Sequence, residues 1–226
     1  MKKIGLVGGI SWVSTIDYYK FINEGVNECL GGLNFAECLI YSLNFGDVQD
    51  KTWEGSFELL LNACQSLKSS GVEAIVLCAN TAHLFADEIE SRIAVPIIHI
   101  GTETAKAVNN AGIIKIGLLG TIFTMEKDFY IKKLQANGLE VLIPEHQDTR
   151  NYIQHTLKEE LGRGLILPHT KARYVEIVNE LVAAGAEGII LGCTEIPMLI
   201  SQDDFNIPVF DTTKIHSKAI VDYIVS

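Results

Sequence analysis

The chain has 226 residues, 48% hydrophobic and 20% charged, which is typical of a globular protein long enough for one large or two modest domains. Its net charge of −10 disfavours nucleic-acid binding, which depends on Lys and Arg contacts to phosphate. No apolar run approaches the roughly 18 residues of a membrane span and no signal-peptide core follows the start, so we expect a cytoplasmic protein that contacts no membrane.

Apolar segments with strand and helix periodicity alternate along the chain. Predicted strands lie at 3–8, 37–43, 73–78, 96–99, 115–120, 140–143, 187–191 and 208–210. Predicted helices lie at 12–30, 55–69, 82–91, 102–110, 124–136, 149–162, 168–184, 195–200 and 212–225. This alternation indicates parallel sheets with helical crossovers, so the predicted fold class is α/β.

The second half of the chain repeats the first. Three pairs of segments match at a nearly constant spacing: 3–8 with 115–120, 71–81 with 185–195, and 95–98 with 207–210. A period this long does not indicate a solenoid. We therefore infer two pseudo-symmetric half-domains with parallel sheets flanked by helices, one of 1–99 plus 210–226 and one of 100–209. The final helix is expected to pack on the first half.

Small and polar residues follow several of the predicted strands. They lie at 8–11, 79–81, 120–121 and 192–195. Ligands of open α/β sheets bind beyond the carboxyl ends of the strands, so we expect the active site at these loops, in a cleft between the half-domains. The glycines match neither GxGxxG nor GxxxxGK[ST], and nucleotide binding therefore has little support.

Cys193 has the most reactive side chain of these loops. It follows a predicted strand and precedes a predicted helix, whose N-terminal dipole is expected to lower the pKa of the thiol. A thiol gives a proton and a thiolate takes one, so Cys193 can serve either half of a proton transfer. Glu195 can accept a hydrogen bond from it. The alternative is a buried cysteine with a packing role only, which we expect of Cys29, Cys38 and Cys64.

The equivalent position of the first half holds Ala79, so the two half-sites are chemically unequal. Its neighbour Cys78 is expected to point to the opposite face of the strand, into the core. His83 follows on the next helix and is placed near the cleft. The cysteines are odd in number and widely spaced, with no CxxC pair, which indicates free thiols and gives no support for a metal site.

Three neutral polar residues accompany the two half-sites, namely Asn80, Thr81 and Thr194. Donors of this kind at helix starts suit a carboxylate ligand. Thr81 and Thr194 are equally suited to cap the helices that follow them, and the sequence leaves both roles open.

Five motifs in combination carry a resemblance. They are Gly5-Leu6-Val7-Gly8-Gly9-Ile10-Ser11-Trp12, Cys78-Ala79-Asn80-Thr81-Ala82-His83, Leu119-Gly120-Thr121, Gly192-Cys193-Thr194-Glu195-Ile196-Pro197 and Pro208-Val209-Phe210-Asp211-Thr212. With them the chain resembles, over nearly its whole length, the aspartate/glutamate racemase family of pyridoxal-phosphate-independent amino-acid racemases. The resemblance implies an acidic amino-acid substrate, an active site between two half-domains, a homodimer, and no cofactor or metal.

The resemblance also implies a two-base reaction, in which one residue takes the α-proton and another delivers a proton to the opposite face. By the resemblance Cys193 is one acid/base, with Glu195 beside it. The family commonly has a cysteine where this chain has Ala79, and alanine transfers no proton. Either Thr81, Cys78 or a bound water replaces it, or the reaction is one-sided.

Substrate contacts follow from the resemblance as well. Those carried over are Ile10, Ser11, Asn80, Thr81, Thr121 and Thr194. The loop around Gln49 and the segment that ends in Glu160 are expected near the side-chain end of the substrate.

Two alternatives to a racemase of aspartate or glutamate remain. Relatives similar to arylmalonate decarboxylases keep only the second cysteine, which protonates a carbanion on one face, and a single thiol opposite Ala79 fits that chemistry. An amino-acid binder without turnover is the other. Release of CO₂ from a malonate derivative, or tight binding without isotope exchange, would identify them.

Overall fold

A computed structural model describes residues 1–226. Its strands are β1 (Ile4–Gly8), β2 (Cys38–Ser42), β3 (Ala74–Leu77), β4 (Lys115–Gly120), β5 (Glu140–Leu142), β6 (Gly188–Gly192) and β7 (Val209–Asp211). Its α-helices are α1 (Trp12–Leu30), α2 (Phe45–Lys51), α3 (Phe57–Ser69), α4 (Ala86–Ile93), α5 (Ile100–Asn110), α6 (Ile122–Glu126), α7 (Asp128–Gln135), α8 (Gln147–Glu159), α9 (Pro168–Ala183) and α10 (Thr212–Val225). Short 3₁₀-helices lie at Thr81–Phe85, Leu161–Arg163, Ile196–Met198 and Gln202–Asp204.

The chain divides into two units. Unit 1 comprises Met1–Ile100 and Thr213–Ser226, and unit 2 comprises Gly101–Thr212. The predicted division assigned 210–212 to the first half, whereas in the structure β7 pairs with β6 and keeps these residues in unit 2. The difference has a simple cause, because a strand stays with the sheet that satisfies its backbone hydrogen bonds.

Unit 1 is built on a parallel sheet of three strands in the order β2-β1-β3. The segment predicted as a strand at 96–99 contributes only an isolated bridge from Ile97 to Ile75. Helices α3 and α4 cover one face of the sheet, and α1 and α10 cover the other. The strands β1 and β3 are completely buried between these two apolar layers.

Unit 2 has a parallel sheet of four strands in the order β5-β4-β6-β7. Its main core packs α8 and α9 against the central strands, through side chains that include Ile153, Tyr174, Ile177, Leu119 and Ile189. The repeated sequence segments form equivalent elements, because β1 and β4 each lie between two parallel neighbours and β3 and β6 follow in the same place. The predicted α/β fold with two related parallel-sheet units is thus confirmed.

Candidate active site

Cys193 lies directly after β6, at a point where two strands approach each other unusually closely. Gly120 of β4 is paired with Gly192 of β6. A Cβ on Gly120 would lie 2.9 Å from the carbonyl oxygen of Gly192, and one on Gly192 would lie 2.8 Å from that of Leu119. Because only glycine permits such an approach, this backbone contact sets where the Cys193 loop begins.

The Cys193 thiol is hydrogen-bonded to the carboxylate of Glu195. Sγ lies 2.9 Å from Oε2, and the Thr194 hydroxyl donates to the same oxygen at 2.9 Å. A carboxylate oxygen only accepts, so the hydrogen of the first contact is on sulfur. Cys193 is therefore a thiol in this arrangement, and the contact expected with Glu195 is formed.

Burial raises the pKa of Cys193 well above its usual range, and the charge of Glu195 and the hydrogen bond to its carboxylate raise it further. The backbone N–H groups of Glu195 and Thr194 lower this pKa without outweighing those effects. The prediction that a helix dipole lowers the pKa of Cys193 is wrong. In place of a helix over 195–200 only the single 3₁₀ turn Ile196–Met198 follows, and so short a turn has little dipole.

Behind Cys193 lies a buried pair of hydroxyl groups. Cys193 packs against the unit 2 core that contains Tyr174, whose hydroxyl lies 2.9 Å from the Thr156 hydroxyl. Burial raises the pKa of Tyr174, and the neighbouring Cys193 adds to this effect. Neither residue stands out in the sequence, because a tyrosine at helical spacing has the pattern of any core side chain.

Glu160 follows the end of α8 and is engaged within unit 2. Its Oε2 accepts a hydrogen bond from the buried Thr170 hydroxyl at 2.6 Å. The structure therefore shows a structural partner for this carboxylate. Contact between Glu160 and a substrate stays a prediction.

The first-unit position Ala79 lies just beyond β3. Its side chain belongs to the core cluster on the α3 and α4 face, whereas Cys78 belongs to the cluster on the opposite face. Cys78 is 1% exposed, and burial, followed by the nearby Cys38, raises its pKa. Cys78 is a core residue, as the strand periodicity predicts.

Asn80 and Thr81 follow Ala79 and are both buried. Thr81 begins a 3₁₀-helix that leads into α4. Thr194, the third of the polar residues, is only partly buried, and its hydroxyl donates to Glu195 instead of capping a helix.

Two of the predicted substrate contacts act as helix caps. Ser11 Oγ accepts from the backbone N–H of Ser14 at 3.3 Å, and Thr121 Oγ1 accepts from that of Thr124 at 3.2 Å. These bonds satisfy amides in the first turns of α1 and α6. Binding of substrate by either hydroxyl stays a prediction.

Ile10 and Gln49 have different surroundings. Ile10 is 8% exposed and belongs to the unit 1 core. Gln49 is exposed on α2, so the loop expected around it is a helix in the structure. Asn44 explains that difference, because its side chain accepts from the Gly46 amide and caps the helix at its start.

The model of the Asp/Glu/Hydantoin racemase family matches residues 7–220. The chain belongs to this family. The resemblance carried by the five sequence motifs is thereby confirmed, and the match includes both Ala79 and Cys193.

Individual members of the racemase family show the same relationship. The broad specificity amino-acid racemase RacX of Bacillus subtilis (strain 168) is 26% identical over 224 residues, covering 96% of each chain. The crystal structure of a putative Asp/Glu racemase from Yersinia pestis has 43% identity and a TM-score of 0.93, with 100% of both chains covered. An aspartate racemase homologue from Pyrococcus horikoshii OT3 has 36% identity and a TM-score of 0.86, also with 100% of both chains covered.

Three histidines of this racemase-family chain form a buried cluster that the sequence did not predict. His83, His99 and His216 lie far apart in the sequence, and only His83 was placed near the site. They meet in unit 1 because α10, which carries His216, packs against β1, β3 and α1 of that unit. No group of three or more His, Cys, Asp or Glu residues could hold a metal ion, and no helix is both long and apolar enough to cross a membrane.

Proposed function

We propose that this chain racemises acidic amino acids, aspartate or glutamate, by direct transfer of the α-proton without pyridoxal phosphate. The observation that carries the proposal is the Cys193 thiol hydrogen-bonded to Glu195 at the end of β6. It lies in a chain matched by the racemase family model over residues 7–220. The names of its relatives, a broad specificity amino-acid racemase and an aspartate racemase homologue, support an amino acid as substrate.

Racemisation breaks the Cα–H bond on one face and forms a new one on the other. In one direction the Cys193 S–H bond breaks, its proton goes to the α-carbanion, and a thiolate remains. The backbone N–H groups of Thr194 and Glu195 favour this thiolate. In the other direction the thiolate takes the α-proton. The predicted substrate contacts stay part of the proposal, namely Ile10, Ser11, Gln49, Asn80, Thr81, Thr121, Glu160 and Thr194.

Because Ala79 cannot transfer a proton, another group has to act as the second proton carrier. Cys78 packs in the core cluster on the opposite face of the strand from Ala79, which argues against its taking the place of the missing thiol. Thr81 or a bound water is therefore the proposed partner of Cys193.

A one-sided reaction is the second candidate, and the combination of Ala79 with a protonated Cys193 favours it. In a decarboxylase of this kind the bond from Cα to a carboxylate breaks, CO₂ leaves, and its bonding electrons remain on Cα. Cys193 then protonates the carbanion on one face, and solvent restores the thiol. Release of CO₂ from an arylmalonate, with no exchange of amino-acid α-hydrogens, would favour this candidate over the racemase.

The proposal is tested by incubating the protein with each enantiomer of aspartate and glutamate in D₂O. We expect deuterium to appear at the α-carbon together with inversion of configuration. NMR detects the deuterium and chiral analysis detects the inversion. Cys193→Ala should reduce the rate by at least about 100-fold, because it removes an acid/base group. Cys29→Ala is the matched control. The expectation that Cys29 is buried is wrong, because near the end of α1 its thiol is exposed, and its loss should leave the rate unchanged. Binding without any exchange would overturn the racemase and favour an amino-acid binder.

The homodimer expected from the resemblance is also proposed here. Trp12, Ile16 and Tyr19 lie on one flank of α1 with exposures of 70%, 54% and 50%, and three large apolar side chains in a row offer a surface that a second copy of the chain can bury. Light scattering should give twice the mass of one chain, and Ile16→Lys should reduce it to one. Ile114→Lys is the control, because Ile114 is 65% exposed in unit 2. A monomeric wild-type protein would contradict this proposal.

A further inference from the structure

The buried histidines of unit 1 are not used by the proposed proton transfer. His83, His99 and His216 are 2%, 9% and 0% exposed. The ring of His83 lies 4.8 Å from that of His99 and 5.5 Å from that of His216, measured between centroids. Three imidazoles this close and this deeply buried would repel one another if charged. The hydrogen bonds of His83 and His216 show which nitrogen of each ring has the hydrogen.

The partners of His216 determine its tautomer. Nε2 lies 2.7 Å from the carbonyl oxygen of Ile98, and Nδ1 lies 2.8 Å from the Tyr18 hydroxyl. A carbonyl only accepts, so Nε2 has the hydrogen and Nδ1 accepts from the Tyr18 hydroxyl. Burial, with His83 nearby, lowers the pKa of His216 to about 3, which agrees with a neutral ring.

The partners of His83 require the opposite tautomer. The backbone N–H of Ile100 points at Nε2 over 3.3 Å, and Nδ1 lies 3.0 Å from the carbonyl oxygen of Ala79. An amide N–H only donates, so Nε2 accepts and the hydrogen is on Nδ1, from which it is donated to Ala79.

These bonds form two directed runs. One goes from the Tyr18 hydroxyl through His216 to the Ile98 carbonyl, and the other from the Ile100 amide through His83 to the Ala79 carbonyl. In each run a backbone group that cannot reverse its role sets the tautomer of the histidine. The loop after β3 is thus tied by His83 to the residue that begins α5.

We propose that His83 is a positioning residue that sets the direction of the Asn80 backbone N–H as a donor to the substrate carboxylate. The peptide bonds of the chain are all trans, and in a trans peptide the C=O and the following N–H point in opposite directions. His83 holds the Ala79 carbonyl toward the histidine cluster, so the Asn80 N–H is directed away from it. This inference rests on the proposed function.

Two conservative variants separate the two hydrogen bonds of His83. In His83→Asn the side-chain NH₂ replaces Nδ1 and keeps the donor to Ala79. In His83→Gln the amide reaches the place of Nε2, keeps a partner for Ile100 and loses the donor to Ala79. We expect His83→Gln to raise KM for the amino acid roughly tenfold, the loss of about one hydrogen bond, and His83→Asn to leave KM within about twofold. His155→Gln, on the exposed face of α8, is the control.

Equal effects of the Gln and Asn variants on KM, or no effect of either, would overturn the proposal. Unfolding free energies of the variants are measured in parallel, because a merely structural role predicts that KM follows stability. Side-chain ¹⁵N NMR adds a test without turnover: His83 should be the Nδ1–H tautomer and His216 the Nε2–H tautomer, and any other pair would overturn the two runs of hydrogen bonds. If the wild type racemises nothing, the proposed function fails. The Asn80 amide resonance then decides the positioning role, which is supported if it shifts in His83→Gln and not in His83→Asn, and overturned if it does not shift.

Discussion

Cys64, Cys78 and Cys193 carry the same thiol, and burial is the largest cause of a raised pKa in each. Burial raises the pKa of Cys64 to about 12, with no further contribution. Cys193 differs because a carboxylate accepts from its sulfur while two backbone N–H groups favour its thiolate. Its pKa therefore depends on one neighbouring carboxylate in addition to burial, and this distinguishes an acid/base candidate from a core cysteine.

Glu195→Gln should lower the pKa of Cys193. The substitution removes the negative charge that disfavours the thiolate and replaces a strong acceptor with a weaker one. The thiolate then forms at lower pH, so the rate of iodoacetamide alkylation of the Cys193 peptide should rise at a lower pH than in the wild type. The profile is measured by mass spectrometry in a Cys29→Ser background, because Cys29 is exposed and would react as well. An unchanged or upward-shifted profile would show that Glu195 does not control the thiol.

Among the elements, long periodic segments were predicted well and short ones were not. The predicted helix 124–136 is divided into α6 and α7, because Lys127 has an extended backbone with φ −92° and ψ 146°. The helix α2 was missed, since its seven residues include only one that is buried and so show little periodicity. Whether a short element forms, and where it ends, is determined by caps and by contacts with its neighbours, and sequence periodicity does not show either.

In the turn between β1 and α1, the cost of substituting Gly9 can be predicted. Gly9 has φ +81°, and a Cβ there would overlap the carbonyl oxygen of Leu43. Gly9→Ala should therefore lose about 2 kcal/mol more unfolding free energy than Gly164→Ala. Gly164 is a suitable control because its backbone is left-handed, with φ 74° and ψ 16°, and no atom lies within 4 Å of the place a methyl group would take, so its substitution costs only about 1 kcal/mol for the backbone. Equal losses in urea unfolding would mean that the β1 turn relaxes freely.

At the scale of the whole molecule, His216 couples the stability of unit 1 to pH. The folded pKa of His216 is lowered to about 3, whereas an unfolded histidine has a pKa of about 6.5. Below about pH 6.5 the unfolded state binds a proton that the folded state does not, so stability falls as the pH decreases toward 3.

We expect the wild type to lose about 1 kcal/mol of unfolding free energy through His216 between pH 7 and 5.5. His216→Gln should be less stable at pH 7 and should show a flatter dependence over this interval. Glu187 and Asp204 have lowered pKa values, so these carboxylates titrate below this pH interval and do not contribute to the difference in unfolding free energy. Urea unfolding of both proteins at the two pH values is the measurement, and parallel slopes would show that His216 is not the linked group.

The sequence by itself determined the α/β class, the internal duplication and the family, because these follow from periodicity and from motifs whose residues are contiguous. It also indicated that Cys193 and Glu195 could form a hydrogen bond, since two residues so close after one strand end are constrained by local geometry. Only the tertiary structure decided the direction of the Cys193 pKa shift, because burial by α8 and α9 is a property of packed elements. The same holds for the hydrogen bonds of His216 and His83, whose partners come from distant segments and which acquire their tautomers only where backbone donors and acceptors meet them.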